Sequence, residues 1–518
     1  METTEHPAHG YNLSVGYTHG YYRELNPDWI NWAAAVHGRR VPDTAAPFRY
    51  LELGCGQGYG LCLLAAAYPR AEFIGVDFSA EHIAHARALA QAAGLANLRF
   101  EPADFTVLAR AWPADYGRFD YAVLHGVASW ISPAVRRALI PLLRAALAPE
   151  GLVYNSYNCM PGWLATIPLQ HLLRRLHAQQ PGAGLELFRR GVERLEALLD
   201  AGAYLGAAQP ALRERLNDVK NQPLSYLVHE FLHEHWQSLW FSQMAEEMAE
   251  AGLAHAGTAT LPENFLPELF NNAELERLVR ACETPALQQE FIDLTLNQGF
   301  RRDLWQSGAP AVAEAAARLD AVRFCAGLDL RAGIGEVQTS IAPFNIDADI
   351  IDALVTALAD GARSLRELRA LPALRSKEPR NVLKLITLLL HAGHLLLAAP
   401  QDSANSVRAF NHAAARRAFK DQLPYDCLAA SGIATAIGTG ELGMALVPRL
   451  AADHSGEPEV LARRLAATLV DDTAAAGRTL LRDGQPLETP QARYELAYEM
   501  VAPFVREVLP HWKRLGVI

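Results

Sequence analysis

Residues 50–60 read YLELGCGQGYG, an apolar run carrying one acidic residue, Glu52, that breaks into Gly54, Gly56 and Gly58, with Cys55 between the first two glycines, before a helical stretch begins at Tyr59. A turn this rich in glycine accepts positive φ. It also leaves room for a ligand to lie against bare backbone and the N-terminus of the helix that follows. Working outward, the same alternation recurs. FRYLEL, AEFIGVD, NLRFEP, FDYAVLHG and GLVYNSYN read as strands, and GYGLCLLAAAY, SAEHIAHARALAQAAG and PAVRRALIPLLRAAL as helices. Strands alternating with helices imply a parallel sheet covered on both faces, so the fold class expected from about Phe48 to Tyr157 is α/β.

The spacing of the glycines narrows the ligand. A dinucleotide fingerprint counted from Gly54 would place its third glycine at position 59, which is Tyr59. The GxGxG pattern resembles instead the S-adenosylmethionine (AdoMet) motif of class I methyltransferases, which implies a Rossmann-like domain. Asp77 ends the next strand in GVDFS, where a carboxylate accepts hydrogen bonds from both hydroxyls of a ribose. Phe78 is placed to face adenine, and Ser79 reads as a helix N-cap. Asp104 and Phe105 follow the third strand. In the families this pattern resembles, the acidic residue meets the adenine amine, and Phe105 supplies an apolar wall. The alternative for Asp77 and Asp104 is a turn or capping role.

The fourth strand runs into HGVASW, residues 125–130. The carboxyl end of a strand in an open α/β sheet faces the ligand crevice, so His125 is expected either at the cofactor and the reacting group or hydrogen-bonded to a loop. At the end of the fifth strand and just past it, Tyr154, Tyr157, Asn158 and Trp163 are candidates for the acceptor channel, joined by Trp130 after the fourth strand, with core packing the alternative for Tyr154 and Trp163. Tyr11, Tyr17, Tyr21 and Tyr22 precede the first strand, where aromatic rings can meet a sulfonium by cation–π attraction or pack a covering segment onto the domain. Tyr17, His125 and Tyr157 are the catalytic candidates.

The organisation changes twice. From about Leu164 to Phe300 the pattern is almost wholly helical, as in LQHLLRRLHAQ and LFRRGVERLEALL. From about Asp303 it mixes Ala-rich helices with short strands. Three domains are expected: 1–165, 166–302 and 303–518. HEFLHEH satisfies a bare HExxH through His229, Glu230 and His233, but no third-ligand extension follows, and no metal is expected.

The whole composition bounds the class. The chain has 518 residues, a formal net charge of -10, half its residues hydrophobic and a fifth charged. That balance argues against a general affinity for nucleic acid or anionic membranes. Six scattered cysteines form no CxxC pair, so reduced, mostly buried thiols are expected. The first residues show no secretory pattern. The most apolar stretch, Leu385 to Pro400, is short for a membrane span and reads as buried helix then strand. The expected compartment is cytoplasmic.

LELGCGQG, FIGVDFS, FDYAVLHGVASW and VYNSYNCMPGW together resemble bacterial methyltransferases that carry a methyltransferase regulatory domain, with Ala128 where tyrosine is usual. The segment SYLVHEFLHEHWQSLWFSQMAEEMAEAGLAHAG resembles the start of that regulatory domain, in which HEYL is an ordinary helix. The layout is similar to that of lysine methyltransferases of bacterial outer-membrane proteins. The resemblance implies a helical middle domain and a winged-helix-like C-terminal segment, matched here by SLRELRALPALRSKEPRNVLKLITLLLHAGHLLLAAP. It is specific from about Tyr11 to Arg302. A protein-lysine methyltransferase is the expected function. The alternatives are a small-molecule methyltransferase of secondary metabolism and a non-catalytic AdoMet-dependent binding module. The expected partner is a protein or a small molecule, and the helical middle region offers a surface for a homodimer.

Overall fold

The computed structural model describes residues 19–179, 184–221, 227, 231, 233–433 and 435–518. The turn quoted above lies between β1 (Arg49–Leu53) and α2 (Tyr59–Ala67), preceded by α1 (Pro27–Val36). Then come β2 (Glu72–Asp77), α3 (Ala80–Ala92), β3 (Leu98–Pro102), α4 (Phe105–Arg110), β4 (Phe119–Leu124), α5 (Pro133–Ala146) and β5 (Leu147–Asn158). These five strands pair in parallel in the order β3-β2-β1-β4-β5. Near-continuous apolar runs such as Tyr50, Leu51 and Leu53, all buried, suit strands covered on both faces.

The sheet does not stop at β5. Its outer edge pairs with β7 (Phe300–Gln306), antiparallel, and β7 with β6 (Ala254–Thr258), also antiparallel, giving seven strands in the order 3-2-1-4-5-7-6. The expected boundary near residue 302 therefore cuts through a strand, and the segment 166–302 is helical only in part. The physical reason is the edge: without β7, the unpaired N–H and C=O groups of β5 would face a helix layer that cannot satisfy them. Strand pairing between residues about 150 apart leaves no local signal.

The helices Ile167–Gln179, Gly184–Asp200, Tyr204–Ala208 and Pro210–Lys220 form a small bundle beside the sheet. Its core holds Leu169, Leu173, Phe188, Val192, Leu195 and Leu212, apolar at helical spacing. In the C-terminal region, the helices Leu365–Arg369 and Pro379–His391 and the strand Leu395–Leu397 appear in the helix–turn–helix–strand order expected. That strand pairs back to Arg323–Ala326, and the chain then enters the helix Ala404–Asp421 instead of a second wing strand. All six cysteines are free thiols: Cys62 and Cys159 are buried, the other four half-buried. No described helix is long and apolar enough to cross a membrane.

The C-terminal region packs directly on the first helices after the glycine turn. Tyr59 stacks on Tyr425, His85 Nε2 lies 2.7 Å from Tyr425 Oη, and Ser406 Oγ donates to the Ala66 carbonyl. Tyr59 donates to the Cys427 carbonyl, and Tyr21 bonds Thr435.

Candidate active site

The glycine turn is held by the carboxylate it was expected to face. Asp77 Oδ2 accepts from Gly56 N at 2.9 Å, and Oδ1 accepts from Ser79 N at 2.9 Å. Ser79 caps α3 through His82 N, as its sequence position suggests. Gly54 and Gly56 have φ of 82° and 52° and line a cleft of about 850 Å³ at the carboxyl ends of β1, β2 and β4. Gly58 has a different job. A Cβ there would stand 2.5 Å from Ala86 Cβ and 2.6 Å from the Phe100 ring, so its missing side chain lets α2 pack on α3 and β3.

Asp77, Phe78, Asp104 and Phe105 join the two glycines in lining this cleft. Asp104, besides lining the cleft, caps α4, accepting from Thr106 N at 2.6 Å. Glu52 and Cys55 are not brought to the lining. Glu52 is buried in β1, where burial and then the neighbouring Asp77 push its carboxyl up to about 8. Burial raises the Cys55 thiol.

His125 and Trp130 also line the cleft, and both recur in a second, wider one. The two clefts share His125, Gly126 and Trp130. Asn158 and Trp163 line the wide cleft with Tyr22, Phe300 and Arg302. Trp163 Nε1 donates to the Gly299 carbonyl at 2.9 Å, and its ring lies 4.5 Å from that of Trp236. It is both a wall of the cleft and a packed aromatic.

His125 is fixed on two sides. Tyr154 Oη and Ser156 Oγ each stand 3.0 Å from Nδ1, and the Tyr22 ring lies over the imidazole at 4.0 Å between centroids. Ser156 Oγ already accepts from Gly126 N, so its hydroxyl hydrogen is free to go to Nδ1. Hydroxyl donation to Nδ1 puts the ring proton on Nε2. Burial, and then the charge of Arg302, hold the ring uncharged, with its pKa down to about 3. Tyr154 is buried against His125 and lines neither cleft.

Tyr157 is not at the reacting centre. Side chains alternate along a strand, so Tyr154, Ser156 and Asn158 share one face of β5, and Tyr157 takes the other. There it donates to Asp303 Oδ2 at 2.7 Å, in a buried network with Arg301. Tyr17, Tyr11, His229 and Glu230 lie outside the described residues. His233 lines the cofactor cleft, its ring 5.9 Å from that of Trp130. Among the described residues, no group of three or more His, Cys, Asp or Glu side chains is placed to hold a metal. Ala128 lines neither cleft. It borders a cavity of about 270 Å³ between α5 and the helix Phe241–Glu250.

Several lining residues have no counterpart in the sequence reading. His82, with Nδ1 3.3 Å from Asp77 Oδ1, has a local signal: it stands three residues after the cap, in the first turn of α3. Val127, Ile131 and Val135 are apolar residues of the loop and helix after β4. Phe300 and Arg302 come from β7, which only the sheet brings near.

Comparison with known proteins agrees with this geometry. Residues 51–151 match the family described as "Methyltransferase domain", and residues 223–306 match "Predicted methyltransferase regulatory domain". The chain carries a methyltransferase domain and has the fold of class I AdoMet-dependent methyltransferases. Over 98% of its length this methyltransferase is 28% identical to the uncharacterized protein sll1526 of Synechocystis sp., covering 99% of that protein. A trans-aconitate 2-methyltransferase of Methylobacterium radiotolerans is 33% identical over 175 residues, 34% of this chain and 61% of that protein. The structure of PKMT2 from Rickettsia typhi in complex with AdoHcy shares the fold, with a TM-score of 0.69 at 18% identity, over 96% of this chain and 99% of that one. The methyltransferase regulatory domain spans β6 and β7, so part of it is built into the cofactor-binding sheet.

The lining residues suit AdoMet. All six line one cleft: Asp77 would accept from the ribose hydroxyls, the bare Gly54 and Gly56 backbone would leave room for the amino-acid portion, and Phe78, Asp104 and Phe105 would flank the adenine.

Proposed function

We propose that this methyltransferase transfers methyl to a lysine amine of a protein. One observation carries the reading: the cofactor cleft opens, past His125, Gly126 and Trp130, into a second cleft that is larger and more open to solvent. An open cleft walled by the aromatic side chains of Tyr22, Trp163, Phe231 and Phe300 and continuous with the cofactor cleft leaves a chain segment room to lie along it with one side chain directed inward. The sequence resemblance to lysine methyltransferases of outer-membrane proteins points the same way.

AdoMet, when bound, supplies a methyl group already activated on a sulfonium. What remains for the protein is to hold the nucleophile in line and uncharged. A lysine amine has a reference pKa of about 10.4 and must shed a proton before it reacts. The surroundings that keep His125 neutral act on an arriving ammonium in the same sense, because burial disfavours a cation. His125, Asn158 and Trp130 stand where the two clefts meet, placed to orient the amine.

The test is transfer of tritiated methyl from AdoMet into a proteome extract and into a small-molecule extract, each with and without protease treatment. Label in acid-insoluble material that protease releases, and that amino-acid analysis finds in methyl-lysine, supports the reading. Label confined to small molecules overturns it.

A further inference from the structure

Two arginines sit side by side on β7 and are treated differently. Arg301 is buried and saturated: Nε and Nη2 donate to Asp303, Nη2 also to Gln289, and Nη1 to Asp293. Arg302 faces the opposite side of the strand and lines the wide cleft. Its guanidinium lies 4.9 Å from the Phe300 ring centroid, and Nη1 donates to Thr260 Oγ1 at 3.3 Å. Its Nε is buried without a hydrogen-bond partner. Arg215, in the same cleft, has Asp218 at 3.8 Å. Among the described residues, no carboxylate pairs with Arg302.

A buried donor left without a partner is costly, and a guanidinium presents a planar fork that matches a carboxylate. His125 lines the same cleft. We infer that Arg302 is a carboxylate-binding residue of the acceptor site, taking an acidic group of the acceptor. The inference rests on the wide cleft being the acceptor site. It also fits the chemistry there. A carboxylate next to a lysine holds the ammonium charged, and pairing that carboxylate with Arg302 removes its hold. The carboxylate has two possible sources, an acidic side chain beside the target lysine or a free organic acid.

Binding, measured without turnover, separates them. The AdoHcy-loaded wild type, Arg302→Gln and Arg302→Lys proteins are titrated by calorimetry with two lysine peptides that differ only by Glu or Gln next to the lysine, and with glutarate. AdoHcy affinity, expected to be equal in the three proteins, reports an intact fold. The wild type is expected to bind the Glu peptide about tenfold more tightly than the Gln peptide. Arg302→Gln is expected to lose that difference, and Arg302→Lys to keep part of it. If neither peptide binds but glutarate binds the wild type and not Arg302→Gln, the carboxylate site stands and the protein-lysine reading fails. Equal binding of the two peptides by the wild type, or no peptide binding together with glutarate binding that ignores the substitution, overturns the inference.

Discussion

Tyr59, the first residue of α2 after the glycine turn, stacks on Tyr425 of the C-terminal region with 4.1 Å between ring centroids and 13° between planes. The same Tyr425 hydroxyl meets His85 on α3, and Tyr21, next to the Tyr22 that covers His125, bonds Thr435. The C-terminal region thus braces both the cofactor turn and the segment over the site. Tyr425→Ala is expected to cost about 3 kcal/mol of stability, the scale for removing a buried aromatic ring, and to weaken AdoMet binding. Tyr425→Phe, which keeps the ring, is expected to retain most of both. Urea unfolding and calorimetry check the pair.

The two glycines with separate jobs should fail separately. Gly56→Val puts a β-branched side chain at a φ of 52° on the cleft wall and is expected to abolish AdoMet binding with the fold kept. Gly58→Ala drives a methyl into Ala86 and Phe100 and is expected to cost about 1–3 kcal/mol of stability. Thermal unfolding alongside AdoMet titration tells the two failures apart.

Asp77→Ala is expected to weaken AdoMet binding by about 1–3 kcal/mol, the range for hydrogen bonds to a charged group. It also frees Gly56 N and Ser79 N, so Asp77→Asn, whose single amide oxygen can still accept from one of them, is expected to fall between wild type and alanine. Unchanged calorimetric affinity in Asp77→Ala would refute the ribose assignment.

Glu52 sets a pH dependence. Its folded pKa is raised from 4.5 to about 8, so the native state favours the protonated acid. The stability tied to that proton is fully present below pH 4.5 and is lost as pH rises toward 8, with a slope of up to about 1.4 kcal/mol per pH unit. Glu52→Gln, neutral throughout, is expected to remove this slope. The comparison is denaturant unfolding of the two AdoMet-free proteins at pH 7 and pH 8.5.

Trp163→Ala is expected to leave AdoMet binding intact and to reduce turnover, because Trp163 lines the wide cleft alone. Trp130→Ala, at the junction of the two clefts, is expected to reduce both. Equal loss of both properties in Trp163→Ala would mark it as purely structural.

What the sequence determined alone was the local part. Strand, glycine turn and helix are contiguous, so Gly54, Gly56 and Asp77 were legible from spacing as cleft residues, as was the cap at Ser79, and Asp104 and Phe105 from the family pattern after the third strand. Each acts within a few residues of a strand end, and the parallel sheet gathers such ends at one crevice. What only the tertiary structure decided were matters of face and long-range pairing. The alternation along β5 sends Tyr154 toward His125 and Tyr157 into the Asp303 network, a choice invisible until β7 is seen on the edge of β5. The pairing places Arg302 opposite Ser156 and Phe300 opposite Asn158, making the wall of the acceptor cleft from residues about 145 positions apart in the chain. No spacing rule encodes such a pairing, because it is set by which exposed edge the later strand must satisfy.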